Sequence, residues 1–166
     1  VERGRLGGTC VNVGCVPKKV MYNAASISET LHDMHHYGFS GYESGAVRFD
    51  WGYIQRSRDA YIERLNGIYD RNMINSGVTR LRGAASLVRE GEGSDGGGVA
   101  VRVSPETEGN TTMTAPQHHQ QQQTTYRARH ILLATGGYPT MPPSADGSVA
   151  RHAISSDGFF DLKSLP

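Results

Sequence analysis

The 166-residue chain holds only two thiols, Cys10 and Cys15. They lie in the stretch Gly7-Gly8-Thr9-Cys10-Val11-Asn12-Val13-Gly14-Cys15-Val16-Pro17-Lys18-Lys19. Such a pair can be a structural staple, a metal clip, two unrelated buried thiols, or a redox couple. A structural zinc site needs about four ligands. The nearest other candidates, His32, His35 and His36, lie more than fifteen residues beyond Cys15, so no ligand spacing supports metal. Geometry separates the remaining readings. Residues five apart in a regular helix have Cα atoms ~8–9 Å apart, whereas a disulfide needs roughly 4.4–6.8 Å. The two sulfurs can therefore bond only if the segment is distorted or still entering its helix. Gly14 permits that distortion. Cys15 then sits near a helix N-terminus, where free N–H groups and the helix dipole favour a thiolate. Lys18 and Lys19 add positive charge one turn on. A short strained loop is also easier to reduce. These features suit a redox pair better than a staple.

The elements that must position this pair follow from periodicity. A helix is predicted over 15–36, with Pro17 in its first turn, where a missing N–H costs nothing. Val20, Met21, Ala24, Ile27 and Leu31 form its apolar stripe. A second helix is predicted over 51–76, with Asp50 as N-cap and Gly77 as its stop. Trp51, Ile54, Tyr61, Leu65, Ile68, Tyr69 and Met73 make its apolar face. Arg56, Arg58, Asp59, Glu63, Arg64, Asp70 and Arg71 make its charged face. Short strands are predicted at 78–81, 85–88 and 99–103. Residues 90–125, which include a His-Gln tract at 118–123, read as a flexible polar insertion. A buried strand is expected at 131–137, followed by a Pro-rich connector at 139–143. Helices, a strand meander and a buried strand together suggest an α/β layered domain.

Composition excludes some functions. The net charge of +1 gives no special pull toward nucleic acid or an acidic membrane. No apolar run approaches the ~18 residues of a membrane helix. Two cysteines are too few for a secreted disulfide framework. The chain begins with Val, its Gly-rich stretch EGEGSDGGG at 90–98 reads as a flexible turn, and no phosphate-binding glycine turn precedes its first elements, so it reads as a segment of something longer.

The thirteen residues GGTCVNVGCVPKK closely resemble the redox-active segment of the flavin-dependent pyridine nucleotide–disulfide reductases. The blocks RDAYIERLNGIYDRN, RLRGAAS, ILLATGGYP and SSDGFFDLKSLP agree with the family in order, leaving only about residues 90–125 outside. The resemblance implies that residues 1–166 are an incomplete, Rossmann-like FAD-binding domain of three-layer ββα type. A β-meander is inserted in it, and its first strand and phosphate-binding glycine turn are missing. It implies FAD within the domain and NADPH at a site outside this segment. Cys10 would attack the disulfide substrate, Cys15 would face the flavin, and Lys18 would lie beside the flavin's reactive edge. Gly8, Thr9, Ala85, Thr135, Gly136 and Ser156 match flavin-contacting positions, to which Cys10 and Lys18 also belong. Ile68, Tyr69 and Asn72 match helix residues that line a glutathione site. Together with Val16-Pro17-Lys18-Lys19, which differs from the lipoamide-type sequence, they favour members that reduce glutathione disulfide, with the trypanothione, thioredoxin, lipoamide and mercuric types as alternatives. Without the resemblance, Tyr69 reads as a core aromatic and Lys18 as a solvated lysine. The resemblance further implies a homodimer whose partner subunit supplies a histidine–glutamate pair for proton transfer. A cytoplasmic setting is expected, with an organelle as the alternative. No role in nucleic-acid, membrane or metal binding is expected. The alternatives left open are another disulfide reductase of the family and a non-catalytic redox or interaction module.

Overall fold

The computed structural model describes residues 1–89, 98–105 and 123–166. The chain divides into two compact units, one of Val1–Leu6 with Arg71–Thr135, the other of Gly7–Asp70 with Gly136–Pro166.

The second unit is helical. It carries α1 (Gly8–Val13), α2 (Cys15–Asp33), short 3-10 turns at Met34–Tyr37 and Ser44–Ala46, most of α3 (Trp51–Asn75), α4 (Ser148–His152) and α5 (Ser156–Asp161). α3 starts where the sequence predicts, because the Asp50 carboxylate accepts from the Tyr53 N–H at 2.9 Å, an N-cap worth ~1 kcal/mol. It ends through bonds from the Gly77 N–H to the Ile74 carbonyl and from the Val78 N–H to the Met73 carbonyl. Its inward face is narrower than the sequence suggests. Trp51, Arg58 and Ile62 are buried, and burying Ile62 contributes roughly 1.5–3 kcal/mol. Tyr61 and Tyr69 are 41% and 44% exposed.

Arg58, expected on the charged exterior, is 3% exposed. Its Nη2 donates to the Phe160 carbonyl at 2.8 Å, and its guanidinium carbon lies 5.7 Å from the Phe160 ring centroid. Asp59 accepts from the same head group at 2.7 Å. The long stem packs as an apolar residue while the head satisfies a helix-end carbonyl. Trp51 reaches the same corner. Its Nε1 donates to the Leu162 carbonyl at 3.0 Å, and its ring meets Phe159 edge to face at 6.2 Å. α5 is thus pinned to the first half of α3. The stripe of α2 is less covered than expected: Val20, Met21, Ala24 and Leu31 are half-buried and Ile27 is exposed.

The other unit carries an antiparallel sheet in the order β1 (Ala84–Arg89), β2 (Val99–Ser104), β3 (Thr124–Arg127). Its register runs from Ala84 opposite Ser104 to Arg89 opposite Val99, then from Ala100 opposite Arg127 to Val103 opposite Thr124. Ala100 and Val103 of the central strand are buried. The expected strand at 78–81 is irregular, and only an isolated parallel bridge joins Glu2 to Arg82. The buried strand expected at 131–137 is absent: Leu132 is 90% exposed and Leu133 65%. Apolar residues alone do not make a strand, which needs a neighbour to accept and donate its backbone bonds. Among the described residues the fold is mixed α/β, with one small three-stranded antiparallel meander. Most of the insertion expected over 90–125 lies outside the described residues, though β2 and the first residues of β3 fall inside that range. Among the described residues no helix is long and apolar enough to cross a membrane.

Candidate active site

Cys10 lies within α1 and Cys15 is the first residue of α2. Gly14 stands between the two helices, with φ −137° and ψ −117°. A Cβ at this position would come within 2.7 Å of the Thr9 carbonyl oxygen and 3.1 Å of the Cys10 Cα. Only glycine lets the chain fold back this closely. The distortion the sequence requires is therefore present, and it is localised at Gly14. Both cysteines are free thiols and both are exposed. The neighbouring Cys15 thiol, foremost through hydrogen bonding, holds the Cys10 pKa above the ordinary thiol value. Partial desolvation and the Cys15 charge act in the same direction, while the Cys15 backbone N–H and the positive charge of Lys18 oppose it. Lys18 is thus an electrostatic neighbour of Cys10 as well as a solvent-exposed helix residue. Its backbone N–H closes the first turn of α2 on the Gly14 carbonyl at 3.0 Å. Pro17, in that same first turn, is buried and loses no helical bond there.

A residue the sequence reasoning passed over completes the arrangement. Asn12, between the cysteines, is 9% exposed. Its Nδ2 donates to the Gly8 carbonyl at 2.8 Å, and its Oδ1 accepts from Asn66 Nδ2 of α3 at 3.0 Å. The available signal was a polar residue on the side of α1 opposite Cys10, where a buried amide must find partners.

The other expected site residues divide between the units. Gly8, Thr9, Cys10, Cys15, Lys18, Ile68, Tyr69, Gly136 and Ser156 all belong to the helical unit. Ser156 opens α5, which packs against α1, and its hydroxyl bonds the Asp157 carboxylate at 3.2 Å. Asn72, Ala85 and Thr135 belong to the sheet-bearing unit; Ala85 pairs with Val103 in the β1–β2 ladder. Tyr69, which reads as a core aromatic without the resemblance, presents a partly exposed ring instead. His32, His35 and His36 are exposed around the end of α2. His32 pairs with Asp33 at 2.9 Å, and the His35 and His36 rings lie 3.8 Å apart. Among the described residues no cluster of three or more His, Cys, Asp or Glu could hold a metal ion.

An exposed dithiol at a helix junction, beside a lysine, is suited to disulfide exchange. Comparison with known proteins places it in a lineage. A sequence profile described as "Pyridine nucleotide-disulphide oxidoreductase" matches residues 1–166. The chain belongs to the pyridine nucleotide-disulphide oxidoreductase family. Within this family it is 44% identical, over 98% of its own length, to a glutathione reductase of Schizosaccharomyces pombe. It is 41% identical over its full length to a glutathione reductase of Yarrowia lipolytica. A third glutathione reductase, from Debaryomyces hansenii, is 37% identical over 98% of the chain. The chain spans 30–32% of the length of these oxidoreductase relatives.

Proposed function

We propose that the chain is a segment of an FAD-dependent, NADPH-linked enzyme that reduces glutathione disulfide through Cys10 and Cys15. The observation that carries this reading is the pair of exposed free thiols folded together at Gly14. The names of the relatives support the substrate.

The steps balance as a dithiol–disulfide exchange. Cys10 sulfur, as thiolate, attacks one sulfur of glutathione disulfide, and one glutathione leaves and takes up a proton. Cys15 sulfur then attacks Cys10 sulfur, the second glutathione leaves with a proton, and a Cys10–Cys15 disulfide remains. Two electrons have passed from the protein to the substrate. The raised Cys10 pKa makes the first step dependent on a base that removes its proton. The histidine–glutamate pair the family draws from a partner subunit suits that role, and the full protein is proposed to be a homodimer. Tyr69 and Ile68, on the exposed and half-buried flank of α3, would contact the disulfide, with Asn72 one turn beyond.

The residues present fit a flavin. A Cβ added at Gly8 would meet nothing within 4 Å, so a planar group can approach the backbone there. Gly7 provides no side-chain cap, which leaves the first N–H groups of α1 available as donors. Thr9 adds a hydroxyl and Lys18 a cation. Gly136, Thr135, Ala85 and Ser156 are the further proposed contacts. When bound, the flavin supplies the two electrons that restore the dithiol, drawn from NADPH. The remaining strands and the phosphate-binding glycine turn of a Rossmann-like fold would come from the rest of the protein. A cytoplasmic setting, where glutathione is maintained reduced, fits this role.

The test is turnover by the full-length protein. NADPH loss should be fastest with glutathione disulfide. Faster turnover with lipoamide or thioredoxin rejects the assigned substrate, and no turnover with any disulfide rejects the enzyme.

A further inference from the structure

α1 has six residues, far fewer than the ~12–15 an isolated helix needs to hold itself in water. Its N-cap, Gly7, offers no side-chain bond, and its first backbone bond, from the Val11 N–H to the Gly7 carbonyl, is 3.3 Å long. Tertiary contacts must hold it. Val11, 4% exposed, is one anchor. An apolar plug resists withdrawal but is indifferent to rotation of the helix about its axis. Hydrogen bonds are directional, and Asn12 makes them on both sides of its amide. The Gly8 carbonyl can only accept, so Asn12 must turn its NH2 toward it and its oxygen toward Asn66, whose NH2 donates. The result is a relay from α3 through Asn12 to the head of α1.

The consequence is angular. Two residues along a helix are separated by ~200° about its axis. With Asn12 held inward, Cys10 is turned outward, toward solvent and toward Cys15 beyond the Gly14 fold. Asn66 belongs to the same helix as Ile68 and Tyr69, so the relay also fixes Cys10 against the residues proposed to meet substrate.

We propose that Asn12 and Asn66 are positioning residues that set the disulfide–dithiol equilibrium of Cys10 and Cys15 by locking the rotation of α1 on α3. The inference rests on the redox role proposed for the two cysteines. The equilibrium is the transfer of two electrons and two protons from Cys10 and Cys15 to one glutathione disulfide, giving the protein disulfide and two glutathiones. Rigid positioning raises the effective concentration of one thiol at the other and favours the protein disulfide. A loosened α1 makes that disulfide easier to reduce.

The test is a titration of the full-length protein in glutathione buffers, quenched with an alkylating reagent and read by mass on the Cys10–Cys15 peptide. Asn12→Ala is expected to lower the equilibrium constant for forming the protein disulfide at least tenfold, about 30 mV toward less negative potential. Asn66→Ala should move it the same way. The double variant should go little further than the larger single effect, because both remove one link. Asn12→Asp keeps an acceptor for Asn66 but cannot donate to Gly8. It should shift the constant in the same direction, and it serves if the alanine variant fails to fold. Folded variants whose melting temperature drops while the constant stays within twofold of wild type overturn the inference and leave the redox role standing. A wild-type pair that does not interconvert reversibly overturns both.

Discussion

At the scale of single residues, the site depends on one close approach, at Gly14, and on the nearness of the two thiols. Gly14→Ala places a Cβ 2.7 Å from the Thr9 carbonyl oxygen, so the α1–α2 junction must open. Disulfide formation between Cys10 and Cys15 should slow at least tenfold, as timed oxidation and thiol counting would show; an unchanged rate means the fold does not depend on this approach. The thiol pair makes a pH prediction. The foremost cause of the raised Cys10 pKa is its hydrogen bond to Cys15. Cys15→Ala should therefore shift the pH profile of Cys10 alkylation by iodoacetamide to lower pH and speed the reaction near neutrality. The sign for stability is the reverse of that for a salt-bridged carboxylate, whose pKa is lowered on folding. The folded state holds the Cys10 proton more tightly than the unfolded chain, so this contribution is present below the ordinary thiol pKa and is lost as pH rises through the folded one. The spacing of Cys10, Gly14 and Cys15 already shows in the sequence that a regular helix cannot span the pair. The inward turn of Asn12 does not show there, because the amide's partner on α3 is distant in the chain.

At the scale of elements, the start of α3 is legible from Asp50 and its stop from Gly77, since both are local hydrogen-bonding features. Which of its faces turns inward is not. Arg58 reads as part of the charged face, yet it is 3% exposed and ties α3 to α5 through the Phe160 carbonyl. Arg58→Ala should destabilise the protein by about 2 kcal/mol or more, through lost packing and an orphaned carbonyl. The shape-retaining Arg58→Met should lose less. Urea midpoints of the two variants measure the difference, and equal midpoints would show that stem packing contributes nothing. The run Ile131–Thr135 gives the opposite lesson. It is apolar enough to read as a buried strand, but a ladder requires a partner, and among the described residues it has none.

At the scale of the molecule, the thiol pair and its hydrogen-bonded supports lie in the helical unit, while the β-meander lies in the other. β2 and β3 pair antiparallel, with Val103 opposite Thr124. Replacing residues 106–122 by a four-residue turn should leave the Cys10–Cys15 equilibrium unchanged in the full-length protein. The glutathione titration checks this, and a moved redox equilibrium would show that the Cys10–Cys15 pair depends on these residues. By itself the sequence determined the thiol motif, the breakpoint at Gly14, the long helices and the strands β1 and β2, because these rest on local pattern and spacing; it did not show the third strand, Thr124–Arg127, whose partner is distant in the chain. It also carried the family resemblance, which the match over residues 1–166 bears out. Tertiary structure alone decided that Arg58 is interior, that Tyr69 is partly open to solvent, and that Asn12 faces α3. Burial and hydrogen-bond satisfaction are properties of neighbours in space, and the neighbours of these residues lie up to 102 positions away along the chain.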